Sequence, residues 1–228
     1  MRQAAALLAA ARAIGFDLDG TLIDSAPDLA VAANAALRGV GLAALPEPQI
    51  VGLIGVGMDR LMEDSLQASA GSVPEEPVRQ AAQALFRRHY AAQIFVRSRV
   101  YPGVSAALQA LRARGLTLCC LTNKLAEFAE ALLVAAGLRH HFAFVLTPAA
   151  AAERKPSPVL LQRACARLGI DRRQLLYVGD SDLDVRAARA AGCPAIGVSY
   201  GYQSARLRAA APDVLLDSLL ELSAEPER

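Results

Sequence analysis

Two aspartates one residue apart, Asp17 and Asp19, close an apolar run and are followed at once by Gly20 and Thr21. Ile14, Phe16 and Leu18 read as a buried strand and Gly20-Thr21 as a sharp exit from it. Residues two apart share one face of a strand, so both carboxylates point the same way at its carboxyl end. Two crowded carboxylates repel, and a cation or a shared proton relieves the repulsion. A purely structural buried pair is the alternative, but it would need basic partners and none follows Arg12 in this stretch. A hard cation such as Mg2+ takes oxygen ligands, which two or three carboxylates and a substrate phosphate complete. The chemistry open to such a site is phosphoryl transfer, with Asp17 attacking in line to form an aspartyl-phosphate. Asp19, just beyond it, can protonate the leaving oxygen and later deprotonate water.

The elements that would position these groups follow from the pattern of apolar runs and breaks. Strands are expected over 116–121, 142–146, 175–178 and 195–198, with an edge strand at 214–216. Helices are expected over 104–111, 125–136, 159–168 and 183–191, most of them ended by glycine. This alternation predicts an α/β fold: a Rossmann-like, mostly parallel sheet with helices on both faces. Between 24 and about 100 the pattern is helical with no strand, which predicts an all-helical inserted cap domain (24–100) in a catalytic core formed by 1–23 and 101–228. Ligands in such sheets bind beyond the carboxyl ends of the strands. Thr122 and Asn123 end one strand, and Asp180 ends another with Asp184 four residues on, so three segments deliver oxygen-bearing side chains to one edge. Thr122 and Asn123 could equally cap the helix that follows, a geometry that also presents backbone N–H groups to a phosphate.

Composition narrows the classes. With 228 residues, 54% of them hydrophobic, the chain can bury a real core. A net charge of +2 without a basic run excludes nucleic acid as a partner on charge grounds. No uncharged apolar stretch is long enough for a membrane span, so no membrane partner is expected. Cysteines 119, 120, 165 and 193 have neither metal-site nor disulfide-scaffold spacing and read as reduced, in a cytoplasmic protein. Residues 4–11 superficially resemble a leader, but cutting after Ala13 would strip the first strand, so a short helix or extension is expected. His89, His140 and His141 lack the convergence of a metal site. All but two of the 24 basic residues are arginine. Lys124 and Lys155 are therefore places where a compact ammonium is wanted.

Four motifs in order carry a family resemblance: Phe16-Asp17-Leu18-Asp19-Gly20-Thr21-Leu22, Leu121-Thr122-Asn123-Lys124, Arg154-Lys155-Pro156 and Val178-Gly179-Asp180-Ser181-Asp182-Leu183-Asp184. Together they resemble the haloacid dehalogenase superfamily of phosphatases over nearly the whole chain. The continuation of the first motif to Leu29, the Gly55-Val56-Gly57 turn and 197–202 resemble its phosphoglycolate phosphatases. The resemblance implies a helical cap and Mg2+-dependent release of phosphate from a small-molecule phosphate monoester, by a monomer or homodimer. It implies Asp17 as nucleophile and metal ligand, Asp19 as acid/base that binds metal through its backbone oxygen, and Asp180 as the second metal carboxylate. Thr122 and Asn123 would hold the phosphate, Lys155 would neutralise it, and Asp184 would orient Lys155 from behind. Gly55, Gly57 and Arg60 would meet the substrate from the cap. An arginine on a helix surface is more often simply solvated. Val56 replaces the usual Asn of the cap turn, Ser157 an Asp or His, and Leu183 a frequent Asn.

The rivals are a sugar-phosphate or amino-sugar-phosphate phosphatase, a phosphomutase, and an inactive phosphate-binding module. Retention of Asp17, Asp19, Lys155 and Asp180 argues against the last. Dehalogenation has no leaving oxygen for Asp19 to protonate, and phosphonate cleavage would need a cap lysine, absent from 24–100.

Overall fold

The computed structural model describes residues 2–223. The chain begins with α1 (Arg2–Ala10) and β1 (Ala13–Phe16), then passes through β2 (Ile23–Asp24) into four helices: α2 (Ala26–Gly39), α3 (Glu47–Val51), α4 (Met58–Ala70) and α5 (Glu76–Ala92). It returns through β3 (Arg99–Val100) and alternates: α6 (Val104–Ala113), β4 (Thr117–Leu121), α7 (Ala126–Ala135), β5 (Phe144–Leu146), α8 (Val159–Leu168), β6 (Leu175–Gly179), α9 (Asp182–Ala191), β7 (Ala195–Val198), α10 (Ser204–Ala210) and β8 (Val214–Leu216).

The main sheet has the order β5-β4-β1-β6-β7-β8 and every pairing in it is parallel. The chain steps outward from β1 to β5 on one side, then crosses to β6 and steps outward on the other. β1 is thus flanked by β4 and β6 at the switch in direction, where such sheets place ligands. All residues of β1, β6 and β7 are buried, as expected for strands covered on both faces. Phe16, Leu118, Val178 and Ile196 face one hydrophobic layer, which also takes in Ala4 and Leu8 of α1; Cys119, Leu121 and Tyr177 face the other. The segment 4–11, expected as a helix or an extension, is therefore largely a docked helix.

Helices α2 to α5 enclose a hydrophobic cluster of their own, built on Leu29, Leu37, Ile50, Met62, Phe86 and Tyr90. Phe128 of α7 is the core side chain that joins it. The inserted helical cap is thus a packed unit with its own apolar centre. One expectation needs correcting: the segment from 24 to 100 is not free of strand. Ile23–Asp24 and Arg99–Val100 pair antiparallel at the two chain crossings. Two-residue strands are too short to leave a periodic signal. Asp28 reinforces this crossing, its buried carboxylate accepting hydrogen bonds from the backbone N–H groups of Val96, Arg97 and Ser98 and from Ser98 Oγ.

Candidate active site

Asp17 directly follows β1, Thr122 follows β4 and Asp180 follows β6, so three adjacent strand ends bring these side chains to one edge. Asp17 is buried and its Oδ1 receives no hydrogen bond of good geometry, although Lys155 Nζ lies 2.7 Å away. Burial pushes the Asp17 carboxyl up to about 6, with Lys155 opposing the rise and Asp184 adding to it. Lys155 reaches in from the loop before α8 and also donates to Asp184 Oδ1 at 2.7 Å and to the Tyr177 hydroxyl at 2.9 Å. Burial pushes the ammonium's value down; Asp17 and Asp184 outweigh that and hold it above its ordinary value.

Asp17, Asp180 and Asp184 each bring one carboxylate oxygen within 4.8 Å of the others, and all three are buried. Burial, then Asp184 and Asp17, push Asp180 well above the usual carboxylate range. A buried group of carboxylates that repel one another, one of them with an oxygen lacking a well-aligned donor, is the donor set a hard divalent cation suits. Asp180 Oδ2 accepts from the backbone N–H of Tyr202 at 2.8 Å. The same carboxylate is wedged between Gly20 and Gly201, where an added Cβ at either position would overlap it; Gly179 lies as tightly against Asp184. Both Asp184 oxygens are held by the protein, Oδ1 by Lys155 and Tyr177 and Oδ2 by Ser181 N–H and Oγ, which also ties it to the start of α9.

Asp19 stands apart from that carboxylate group. Its side chain turns toward Lys124, whose Nζ is 3.0 Å from both oxygens, and Oδ1 also accepts from Ser25 Oγ at 2.5 Å. Lys124 Nζ is buried and sits 4.7 Å from the ring centre of Tyr90 on α5, whose ring packs edge-on to Phe128. Desolvation would lower Lys124, but Asp19 and Tyr90 together outweigh it and the net shift is upward.

Between core and cap lies a cavity of about 20 Å³, lined on the core side by Asp17, Asp19, Thr122, Asn123 and Lys124. Leu29, Ile54, Gly55, Gly57, Met58 and Leu61 close it from the cap. That is room for about one water molecule.

A family model described as haloacid dehalogenase-like hydrolase matches residues 14–198. The chain belongs to that family. It is 43% identical to a phosphoglycolate phosphatase of Nitrosospira multiformis, over 86% of either chain. It is 40% identical to one from Chromobacterium violaceum, over 92% of this chain and 94% of the relative. Among solved structures, a predicted phosphoglycolate phosphatase from Haemophilus somnus superposes with a TM-score of 0.87 at 33% identity, over 94% of this chain and 99% of the other. This haloacid dehalogenase-like hydrolase is a phosphoric monoester hydrolase.

The structure thus brings Asp17, Asp19, Thr122, Asn123, Lys155, Asp180 and Asp184 together, with Gly55 and Gly57 facing them across the cavity. Two of the expected residues are engaged elsewhere in this structure. Arg60 does not join the site: its exposed guanidinium pairs with Asp64 at 2.9 Å and Glu63 at 3.7 Å along its own helix, and it does not line the cavity. Asn123, expected with Thr122 to hold the phosphate, lines the cavity, and its side chain is engaged by the protein. Its amide nitrogen donates to the carbonyls of Gly55 at 3.0 Å and Lys155 at 3.2 Å, and its oxygen accepts from the Lys155 N–H at 2.8 Å. One side chain thereby fixes the Lys155 backbone and touches the cap turn. The motif reading gave no role to Lys124, Ser25 or Tyr202. The scarcity of lysine was a signal for the first, and the other two lie in stretches that carry the family resemblance without a role of their own. Tyr202 places its hydroxyl at the start of α2, accepting from Ser25 and Ala26 N–H and donating to Asp24.

Proposed function

We propose that the hydrolase releases inorganic phosphate from a small carboxylated phosphate monoester, 2-phosphoglycolate or a close analogue, through an aspartyl-phosphate on Asp17. The observation that carries this reading is Asp17 itself: a buried carboxylate at the central strand end, with Lys155 2.7 Å from Oδ1 and no well-aligned hydrogen bond to that oxygen. Mg2+ held by Asp17 and Asp180, with Asp19 contributing through its backbone, would supply charge neutralisation for the phosphate oxygens.

In the first step an Asp17 oxygen bonds to phosphorus as the ester P–O bond breaks, and Asp19 passes its proton to the departing oxygen. In the second, Asp19 takes a proton from water as the water oxygen bonds to phosphorus and the Asp17–phosphorus bond breaks, which restores both aspartates. Lys155, fixed by Asp184, Tyr177 and the Asn123 hold on its backbone and 2.7 Å from Asp17, would face the developing negative charge, and Thr122 lines the cavity with Asp17. Asp184 acts through Lys155.

The substrate reading rests on the relatives' names and on the cap wall. The side chains of Leu29, Ile54, Met58 and Leu61 offer no hydrogen-bonding groups for the hydroxyls of a sugar. The cavity lies between core and cap, so we take residues 24–100 to act as a cap that opens at its two crossings to admit substrate. Every group in the site comes from one chain, so a monomer, or a dimer of independent sites, suffices. The four free cysteines suit a reducing compartment. Among the described residues no helix is long and apolar enough to cross a membrane. The test is a panel of 2-phosphoglycolate, sugar phosphates and amino-sugar phosphates at fixed Mg2+, with free phosphate measured. Preference for 2-phosphoglycolate supports the reading; preference for a sugar phosphate, or turnover with little free phosphate, overturns it.

A further inference from the structure

Each of the chain's two lysines is buried against one of the two aspartates of the first motif: Lys155 against Asp17 and Lys124 against Asp19. Lys124 contacts both Asp19 oxygens at 3.0 Å, while Ser25 Oγ holds Oδ1 from the start of the cap. A carboxylate just past a strand end can rotate; three donor contacts from two directions fix its plane. The lysine is itself fixed, its ammonium enclosed under the Tyr90 ring and its backbone N–H donating to Thr122 Oγ1 at 3.3 Å. An ammonium buried at this cost and paired with one carboxylate is there for that carboxylate, because leaving either partner unpaired would be strongly unfavourable.

We propose that Lys124 is the positioning residue for Asp19: it aims the carboxyl at the leaving oxygen and stabilises the negative charge that appears on Asp19 as the proton departs. Tyr90 gives it a seat on the cap, so the aim of Asp19 is complete when α5 is docked. The inference rests on the acid/base role of Asp19 argued above and deepens it.

A split between leaving groups tests it. An aryl phosphate such as p-nitrophenyl phosphate departs without a proton, whereas an alkyl phosphate such as 2-phosphoglycolate needs one. In rapid-mixing experiments Lys124→Met should keep the first-turnover burst of p-nitrophenol within about threefold while slowing first-turnover cleavage of the alkyl ester by about 10²-fold, the lower range of general-acid contributions. Lys124→Arg, which keeps a charged two-point donor, should recover at least part of the alkyl rate that Lys124→Met loses, and Lys124→Gln takes the place of the methionine form if that does not fold. Asp19→Asn is the reference. If it shows the aryl–alkyl split and Lys124→Met (or Lys124→Gln) does not, the positioning role is wrong and the acid/base reading stands. If Asp19→Asn itself shows no split, the underlying reading fails.

Discussion

The two lysines anchor two differently built halves of the site. Around Lys155, the partners Asp17 and Tyr177 lie on or directly after strands of the main sheet and Asp184 lies in the first turn of α9, and no side chain from 24–100 takes part. Around Lys124, one partner is Asp19 with Ser25 at its back, and the other is Tyr90 of the cap helix α5. The first half sits on a rigid sheet edge and suits a reaction that must not vary. The second is assembled across the seam, where a group can respond to whether the cap has closed over a substrate. On the proposed roles, charge neutralisation would be built into the fold, while proton handling would be built into its docking.

The sharpest way to break this contrast is Asp17→Asn, which should lower phosphate release by about 10⁴-fold or more while the thermal midpoint stays within a few degrees of the parent. Unchanged turnover would remove the nucleophile from the sheet-bound half. Chelation should abolish turnover, and Asp180→Asn should raise the Mg2+ concentration for half-maximal activity by at least about tenfold, read by titrating Mg2+ back into stripped protein. Below these in size comes the hinge. Asp28→Asn leaves three backbone donors and Ser98 facing an amide, at about 1–3 kcal/mol of stability by denaturant unfolding, with little direct effect on chemistry.

Asp28 also carries a pH signature. Burial pushes its carboxyl up, and the hydrogen bonds from Ser98, Arg97 and Val96 more than reverse that, so the native value lies below 3.8. The unfolded chain then takes up the proton first, and stability rises with pH. Its contribution is complete above the unfolded value and drains as pH falls through the native one. The midpoint gap between parent and Asp28→Asn should therefore narrow below pH 4; a gap that widens there would contradict the assignment. The smallest effect belongs to Arg60→Ala, expected to keep kcat/KM within about twofold because a solvated i,i+4 pair contributes only a few tenths of a kcal/mol.

How much of this was legible in the sequence depends on distance along the chain. The order of strands and helices, and the polar residues at three strand ends, are local patterns of period 2 and 3.6 and could be read directly. Asp17, Thr122 and Asp180 become neighbours once the sheet is parallel. The seam could not be read this way. Lys124 meets Asp19 across 105 residues, and Tyr202 meets Ser25 across 177. Nothing in either local sequence marks the contact. The two-residue strands at the crossings are shorter than any period. Arg60 was the opposite case: Asp64, one helical turn on, already told of an exposed ion pair.

Asp180 held between Gly20 and Gly201, and Asp184 pressed by Gly179, have a consequence for any saturation library of this chain selected on turnover. Positions 20, 179 and 201 should tolerate no replacement, as empty in such data as position 17. Their contribution, however, is the absence of atoms. A ranking by intolerance alone would assign three residues to chemistry that they serve only by leaving room, and a second library scored for folded yield would separate the two kinds of silence.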